Sequence, residues 1–121
     1  MIEAKESMEP EVLALNIRRK LTKGDLNDLI PALEKHTNSF DDPHLFIEME
    51  NFKGWEDTDA FWKDLKLDAE YIGEFDRIAL VGDKRWEAWL TRLTDVLTGN
   101  EIRYFYPDGK GRAWNWVHKH R

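Results

Sequence analysis

The sequence predicts an α/β fold in which a mixed, mostly parallel sheet is covered by helices. Apolar patterns of the strand type and of the helix type alternate four times along the chain, and a short apolar segment precedes them. The connections are only a few residues long, and none is a low-complexity linker. Such alternation implies right-handed crossovers between parallel strands. We therefore expect a (βα)4 superhelix preceded by a short N-terminal strand, with residues 1–121 in one domain.

The N-terminal part of the chain predicts an antiparallel hairpin. The segments IEAKES (2–7) and EVLALNIRRKLT (11–22) are the predicted strands, and MEPE between them is the predicted turn. In the second strand Leu13, Leu15 and Ile17 occupy alternate positions, and charged residues follow them. These three side chains therefore form the apolar side of that strand.

A helix is predicted after this strand. Thr22 and Asp25 resemble a capping box, with Asp in place of the usual Glu. Pro31 falls inside the helical pattern, so we expect either a kink or a late helix start there. The apolar stripe at helical spacing consists of Leu26, Leu29, Ile30 and Leu33.

The middle of the chain predicts a second strand and helix. PHLFIEMENF (43–52) has the alternation of a strand, and Trp55 is expected in the loop KGWED that follows it. Thr58 is the predicted N-cap of the next helix, and Gly73 is placed to end it.

Two further strand and helix pairs complete the pattern. RIALVG (77–82) is nearly continuously apolar, which is typical of a central strand covered on both sides. The helix that begins at Asp83 carries apolar residues at helical spacing and ends at Gly99. EIRYFYP (101–107) is the last predicted strand, and GRAWNWVHKH (111–120) is the last predicted helix.

The composition argues against several classes of protein. With 18 basic and 24 acidic residues, the net charge is −6, whereas nucleic-acid binding needs clustered positive charge. The chain contains no cysteine, which excludes disulfides, a thiol nucleophile and a cysteine-based zinc site. No apolar run approaches the roughly 20 residues that span a bilayer. Because the first ten residues also lack the pattern of a secretory signal, we expect a cytoplasmic protein.

The predicted ligand site is the edge of the sheet at which the parallel strands end, because open α/β sheets bind ligands there. Lys84 and Arg85 open a helix, where positive charge is unfavourable. Either a bound anion or the acidic neighbours Asp83 and Glu87 would balance them, and both interpretations stay open. The residues that the turns bring to this edge are Trp55, Glu56, Asp57, Thr58, Asp83, Lys84, Arg85 and Asp108.

We expect neither catalysis nor a cofactor nor a metal site. The sequence contains no Ser-His-Asp order, glycine-rich phosphate loop or nucleophile elbow. His36 and His44 flank a predicted loop, whereas His118 and His120 stand two residues apart and would point away from each other on a helix. All four are therefore interpreted as surface histidines.

Two interpretations of the last helix stay open. Its bases and tryptophans suit a membrane interface, where the contacts would be Trp114, Trp116, Lys119 and Arg121. The same helix could pack on the sheet through the face that carries Ala113, Trp116 and Val117, which would leave its basic edges in water.

The stretches RIALVGDKRWEAWL (77–90) and EIRYFYPDGKGRAWNWV (101–117) resemble the SpoIIAA-like family of small bacterial domains. The resemblance extends to residues 18–36 and 45–65, so it covers nearly the whole chain. It implies a STAS-type fold, a mixed sheet wound with helices as a βα superhelix. STAS domains that act as anti-sigma-factor antagonists are phosphorylated on Ser or Thr at a helix start. By resemblance, Thr58 after Asp57 is the position nearest to that site.

These observations predict a non-catalytic STAS-like module that binds a protein partner or a small ligand at the edge where the strands end, in a signalling role. The alternative is a peripheral membrane protein, or a protein that binds an apolar, lipid-like ligand between mobile tryptophan-rich helices. Neither function requires a cofactor or a nucleic acid, and both are compatible with a homo-oligomer.

Overall fold

The computed structural model describes residues 2–5, 9–21, 23–55, 75–84 and 101–118. Within these ranges the chain forms five strands, two α-helices and one turn of 3-10 helix. In chain order these elements are β1 (Ile2–Lys5), β2 (Val12–Leu21), α1 (Lys23–Ser39), β3 (His44–Trp55), β4 (Arg77–Val81), β5 (Glu101–Phe105), the 3-10 turn (Pro107–Gly109) and α2 (Lys110–His118).

The strands form one mixed sheet whose spatial order follows chain order, β1-β2-β3-β4-β5. β1 runs antiparallel to β2, whereas β2, β3, β4 and β5 are parallel to one another. The predicted fold class, a mixed and mostly parallel α/β sheet with a short strand in front, is confirmed. The helix predicted over residues 58–73, and residues 85–99 of the next predicted helix, lie outside the described ranges.

Both faces of β2 are buried, although its sequence pattern singled out one apolar side. Leu15 and Ile17 are buried on the predicted side, and Val12 and Ala14 are buried on the other. The second side is covered because α2 packs on it. We call this surface of the sheet the α2 face. The buried cluster between the α2 face and α2 consists of Val12, Ala14, Phe46, Ala79, Val81, Ala113, Trp116 and Val117.

α1 begins at Lys23 and continues through Pro31 to Ser39, so the expected late start of this helix is wrong. Proline lacks the N–H that would bind the carbonyl of Asn27 four residues earlier. Both Pro31 and Asn27 are exposed, so water can bind that carbonyl and the helix tolerates the proline. Leu33, from the predicted apolar stripe, is buried.

β3 is longer than predicted, and it includes Gly54 and Trp55. The prediction that Trp55 lies in a loop is wrong, because β2 and β3 stay paired to Leu21 and Trp55. Their register shifts between the pairs Arg18–Glu50 and Lys20–Gly54. More residues of β3 than of β2 lie between these pairs, so β3 contains a bulge. A bulge lets a strand continue past an irregular segment.

α2 crosses its face of the sheet in the direction opposite to the parallel strands. Its first residue, Lys110, contacts Glu48 in β3, whereas the carbonyl of Val117 near its last turn accepts a hydrogen bond from His44 at the start of β3. Arg77 at the start of β4 donates to the Trp116 carbonyl over 3.0 Å. Side chains from two strands therefore satisfy carbonyls at the end of α2 that lack a partner within the helix.

The interpretation of His36 and His44 as surface histidines is wrong. His44 is 1% exposed, because it begins β3 underneath the end of α2. His36 is half-buried, since its Nε2 donates to the Glu11 carbonyl over 2.6 Å and its ring stacks on Phe75.

Candidate functional site

Two turns meet at the edge where the parallel strands end. The backbone N–H of Gly82, just after β4, donates to the carbonyl of Phe105 at the end of β5 over 3.0 Å. The Tyr104 hydroxyl donates to the Asp83 carbonyl over 2.7 Å. These bonds fix the turn after β4 against the end of β5. We call residues 82–84 and 104–110 together the strand-end edge.

The strand-end edge presents both charged and aromatic side chains. Of the predicted residues, Lys84 and Asp108 are exposed and Asp83 is half-buried. Tyr106 is 43% exposed, and its ring lies edge-on to Tyr104 with 6.2 Å between ring centres. Exposed tyrosines are enriched in protein-binding surfaces because they combine apolar area with a polar group.

Tyr104 and Tyr106 are not among the site residues that the sequence predicts. The pattern of EIRYFYP predicts a strand and nothing more. The available signal was the position of Tyr106 directly before Pro107, because a proline at that point starts a turn and leaves the preceding side chain beyond the strand.

Gly82 lies at a point of close packing within the strand-end edge. A β-carbon at this position would stand 2.6 Å from Tyr104 Oη and 2.8 Å from Met49 Cε. The flexible end of Met49 can turn away. Tyr104 cannot move without losing its hydrogen bond to Asp83.

We expect Gly82→Ala to lower the free energy of unfolding by about 1–2 kcal/mol, because the added methyl group displaces the Tyr104 hydroxyl. The matched control is Gly111→Ala in the first turn of α2, where a β-carbon would meet no atom within 4 Å. That control should leave stability unchanged or raise it by about 0.5 kcal/mol. Urea denaturation of both variants measures the difference, and equal stabilities would show that position 82 tolerates a side chain.

An ion pair ties the start of α2 to the same edge. Glu48 is 8% exposed, and both of its carboxylate oxygens lie 3.2 Å from Lys110 Nζ. A buried carboxylate needs such a partner, because desolvation of an isolated charge is costly. Glu48 is not among the predicted site residues, because nothing in the strand pattern shows that a helix covers its face.

The tryptophans of α2 occupy two different environments. Trp116 is buried in the cluster, where the guanidinium carbons of Arg77 and Arg103 lie 5.3 and 5.0 Å from its ring centre. Trp114 is half-buried and meets the Phe46 ring edge-on at 5.0 Å. Of the two interpretations of this helix, packing through Ala113, Trp116 and Val117 is therefore confirmed. A membrane contact through Trp116 would require α2 to leave the sheet.

Two open grooves flank α2. The groove on the β5 side has a volume of about 760 Å³, and the groove on the β3 side has a volume of about 470 Å³. Arg103, Phe105, Arg112, Asn115 and Trp116 line the first groove. The second is lined by Phe46, Lys110, Gly111, Trp114 and Asn115.

The family model described as SpoIIAA-like matches residues 12–118. The chain belongs to the SpoIIAA-like family. A crystal structure of an uncharacterised protein with a SpoIIAA-like fold from Shewanella loihica PV-4 is 28% identical to the chain, with a TM-score of 0.70. That match covers 97% of this chain and 92% of the other. No curated protein matches the sequence.

Several predicted site residues of this SpoIIAA-like chain lie outside the described ranges. They include Asp57 and Thr58, so phosphorylation of Thr58 stays a prediction. The backbone of Trp55 ends β3 at the same edge of the sheet. The other predicted residues outside these ranges are Glu56, Arg85, Lys119 and Arg121.

No helix within the described part of this SpoIIAA-like chain is long and apolar enough to cross a bilayer. The described residues that could together hold a metal ion lie at the opposite edge from the predicted site, where the parallel strands begin. They are Asp42, His44 and Asp76.

Proposed function

We propose that this SpoIIAA-like chain is a non-catalytic module that binds a protein partner or a small ligand at the strand-end edge, in a signalling role. The supporting observation is the exposed Tyr106, held beside a turn whose backbone is fixed. A surface ordered before binding loses little conformational entropy on association. Lys84 and Asp108 add exposed charges of both signs, which favour a polar or charged partner.

The hydrogen bonds at the strand-end edge also favour binding over catalysis. Tyr104 donates to a backbone carbonyl, and Glu48 is paired with Lys110. These groups hold the fold together. An acid and base pair for catalysis would instead face a common cleft with room for a reacting atom.

The test combines crosslinking in the native host with native mass spectrometry of freshly purified protein. We expect Tyr106→Ala to reduce capture of a specific partner or ligand by about tenfold, since central aromatic residues contribute much of the binding energy at interfaces. Lys35→Ala in α1 is the matched control, because Lys35 is exposed on a different element. Equal capture by the wild type, Tyr106→Ala and Lys35→Ala would contradict the proposal.

The groove on the β3 side of α2 supports a second candidate function, binding of an apolar, lipid-like ligand or peripheral contact with a membrane. Phe46 and Trp114 give this groove an aromatic wall, and Lys110 stands at its border. The same mass spectrometry experiment distinguishes the two functions. A lipid that co-purifies with the wild type and with Tyr106→Ala, but not with Trp114→Ala, would favour this function over the first.

A further inference from the structure

Three side chains converge where β3 and β4 begin. Asp42 lies in the bend before β3, His44 is the first residue of β3, and Asp76 directly precedes β4. The Asp76 N–H donates to the Pro43 carbonyl over 2.8 Å, and the Asp76 carbonyl accepts from the Glu101 N–H over 3.0 Å. The backbone that carries the cluster is therefore fixed by its neighbours on both sides.

The hydrogen bond of His44 shows that Nδ1 of its ring carries a proton. Nδ1 lies 2.6 Å from the Val117 carbonyl oxygen. A carbonyl only accepts, so Nδ1 must donate, and a neutral imidazole then has a lone pair on Nε2. Nε2 is buried without a hydrogen-bond partner, in a residue that is 1% exposed.

Nε2 of His44 stands next to a carboxylate. Nε2 lies 3.4 Å from Asp42 Oδ1, which is also buried without a hydrogen-bond partner. One ligand atom from each of Asp42, His44 and Asp76 lies within 4.8 Å of the others. The carbonyl end of α2, which carries partial negative charge, ends on the same histidine. A neutral His44 ring and two carboxylates that face one another repel unless a proton or a metal ion stands between them.

We propose that Asp42, His44 and Asp76 bind a divalent first-row transition-metal ion, with Zn²⁺ as the reference ion. Metal–ligand distances of about 2.1 Å place neighbouring ligand atoms of a tetrahedral site about 3.4 Å apart. The separation of His44 Nε2 and Asp42 Oδ1, 3.4 Å, equals that spacing. An imidazole with two carboxylates suits zinc and related ions better than Mg²⁺ or Ca²⁺, which prefer oxygen ligands.

The contact between His44 and Val117 has the role that second-shell groups have in metalloproteins. A backbone carbonyl that accepts from Nδ1 fixes the ring orientation and the tautomer, and leaves Nε2 available for the metal. Three protein ligands leave a fourth tetrahedral position open to water or to another small ligand. The ion would join the starts of β3 and β4 beneath the end of α2.

Calorimetric titration of the chelator-treated full chain with Zn²⁺ tests the proposal. We expect saturable binding of one ion per chain, and weaker binding by about tenfold or more in each of Asp42→Asn and Asp76→Asn, because each removes a ligand. Asp41→Asn is the matched control, since Asp41 is an exposed acid on the same bend and outside the cluster. This control should bind Zn²⁺ as the wild type does.

Nitrogen-detected NMR of the histidine rings supplies a second measurement. Zn²⁺ should shift the His44 Nε2 resonance strongly while Nδ1 keeps its proton, and Zn²⁺ at about 100 times its Kd should raise Tm by on the order of 8 °C. His44→Asn, which keeps a donor near the position of Nδ1, should lose the Zn²⁺-dependent rise in Tm. Absence of saturable binding by the wild type, or equal binding by Asp42→Asn, Asp76→Asn and the wild type, would overturn the site. In the second case the ion would be bound elsewhere on the chain.

Discussion

Replacement of Phe46 by alanine is expected to lower the free energy of unfolding by about 4 kcal/mol. Phe46 is 1% exposed within the cluster on the α2 face, and the Trp114 ring packs edge-on against it. Hydrogen bonds from His44 and Arg77 hold α2 in place, so the helix cannot collapse into the cavity that the lost ring would leave. A domain with a total stability of about 5–15 kcal/mol would lose a large part of it.

Urea denaturation followed by far-ultraviolet circular dichroism measures this loss. Phe46→Leu is the matched control, because leucine fills most of the same space and should cost about 1 kcal/mol. If alanine and leucine at position 46 destabilise the protein equally, the ring is not packed between α2 and the sheet.

Replacement of His44 by leucine is expected to cost about 3 kcal/mol in metal-free buffer. Leucine has a similar volume but no donor, so the Val117 carbonyl at the end of α2 would be left without its partner in the interior. A buried acceptor that loses its donor bears the full penalty of desolvation. The donation from Arg77 to Trp116 would remain, which limits the damage to the last turn of the helix.

Thermal and urea denaturation of His44→Leu and His44→Asn measure how much of the lost stability comes from the hydrogen bond and how much from the packing of the ring. The asparagine amide can donate from near the position of Nδ1. The loss in free energy of unfolding should therefore be at most half as large in His44→Asn as in His44→Leu. An asparagine variant that is less stable than the leucine variant would show that ring packing dominates at this position.

The fold class could be predicted because its evidence is local. β4 is a short, continuously apolar strand, and all of its residues from Ile78 to Val81 are buried. Alternation and an intervening turn predict that β1 and β2 form a hairpin, and the two strands pair antiparallel. Each signal extends over a few residues, so one sequence is enough to detect it.

The predictions for Trp55 and His44 are wrong because a distant segment of the chain determines the environment of each residue. Trp55 lies in a strand because Leu21 pairs with it, and a window around KGWED contains no trace of that pairing. His44 is buried because α2 ends above it, and its hydrogen-bond partner Val117 in that helix comes 73 residues later. Local pattern therefore predicted the elements but not which surfaces of those elements are covered.

Of the two candidate sites, one could be predicted from local patterns and the other depends on contacts between distant segments. The strand-end edge followed from the rule that parallel strands end together, and the structure places Asp83 and Lys84 there. Asp42, His44 and Asp76 lie at the opposite edge, where that rule expects no ligand. They meet because His44 is the register partner of Arg77, which sets Asp76 beside the start of β3. Register between parallel strands has no signature in either strand alone.

The strands of the α2 face are synthesised before the helix that packs on them. Val12, Phe46 and Val81 belong to strands made before α2, yet α2 supplies the other side of their cluster. Among the described residues, α2 covers this apolar surface, so during synthesis that cover is complete only after the helix has emerged. Contacts of such long range make folding slow and leave the intermediate prone to association.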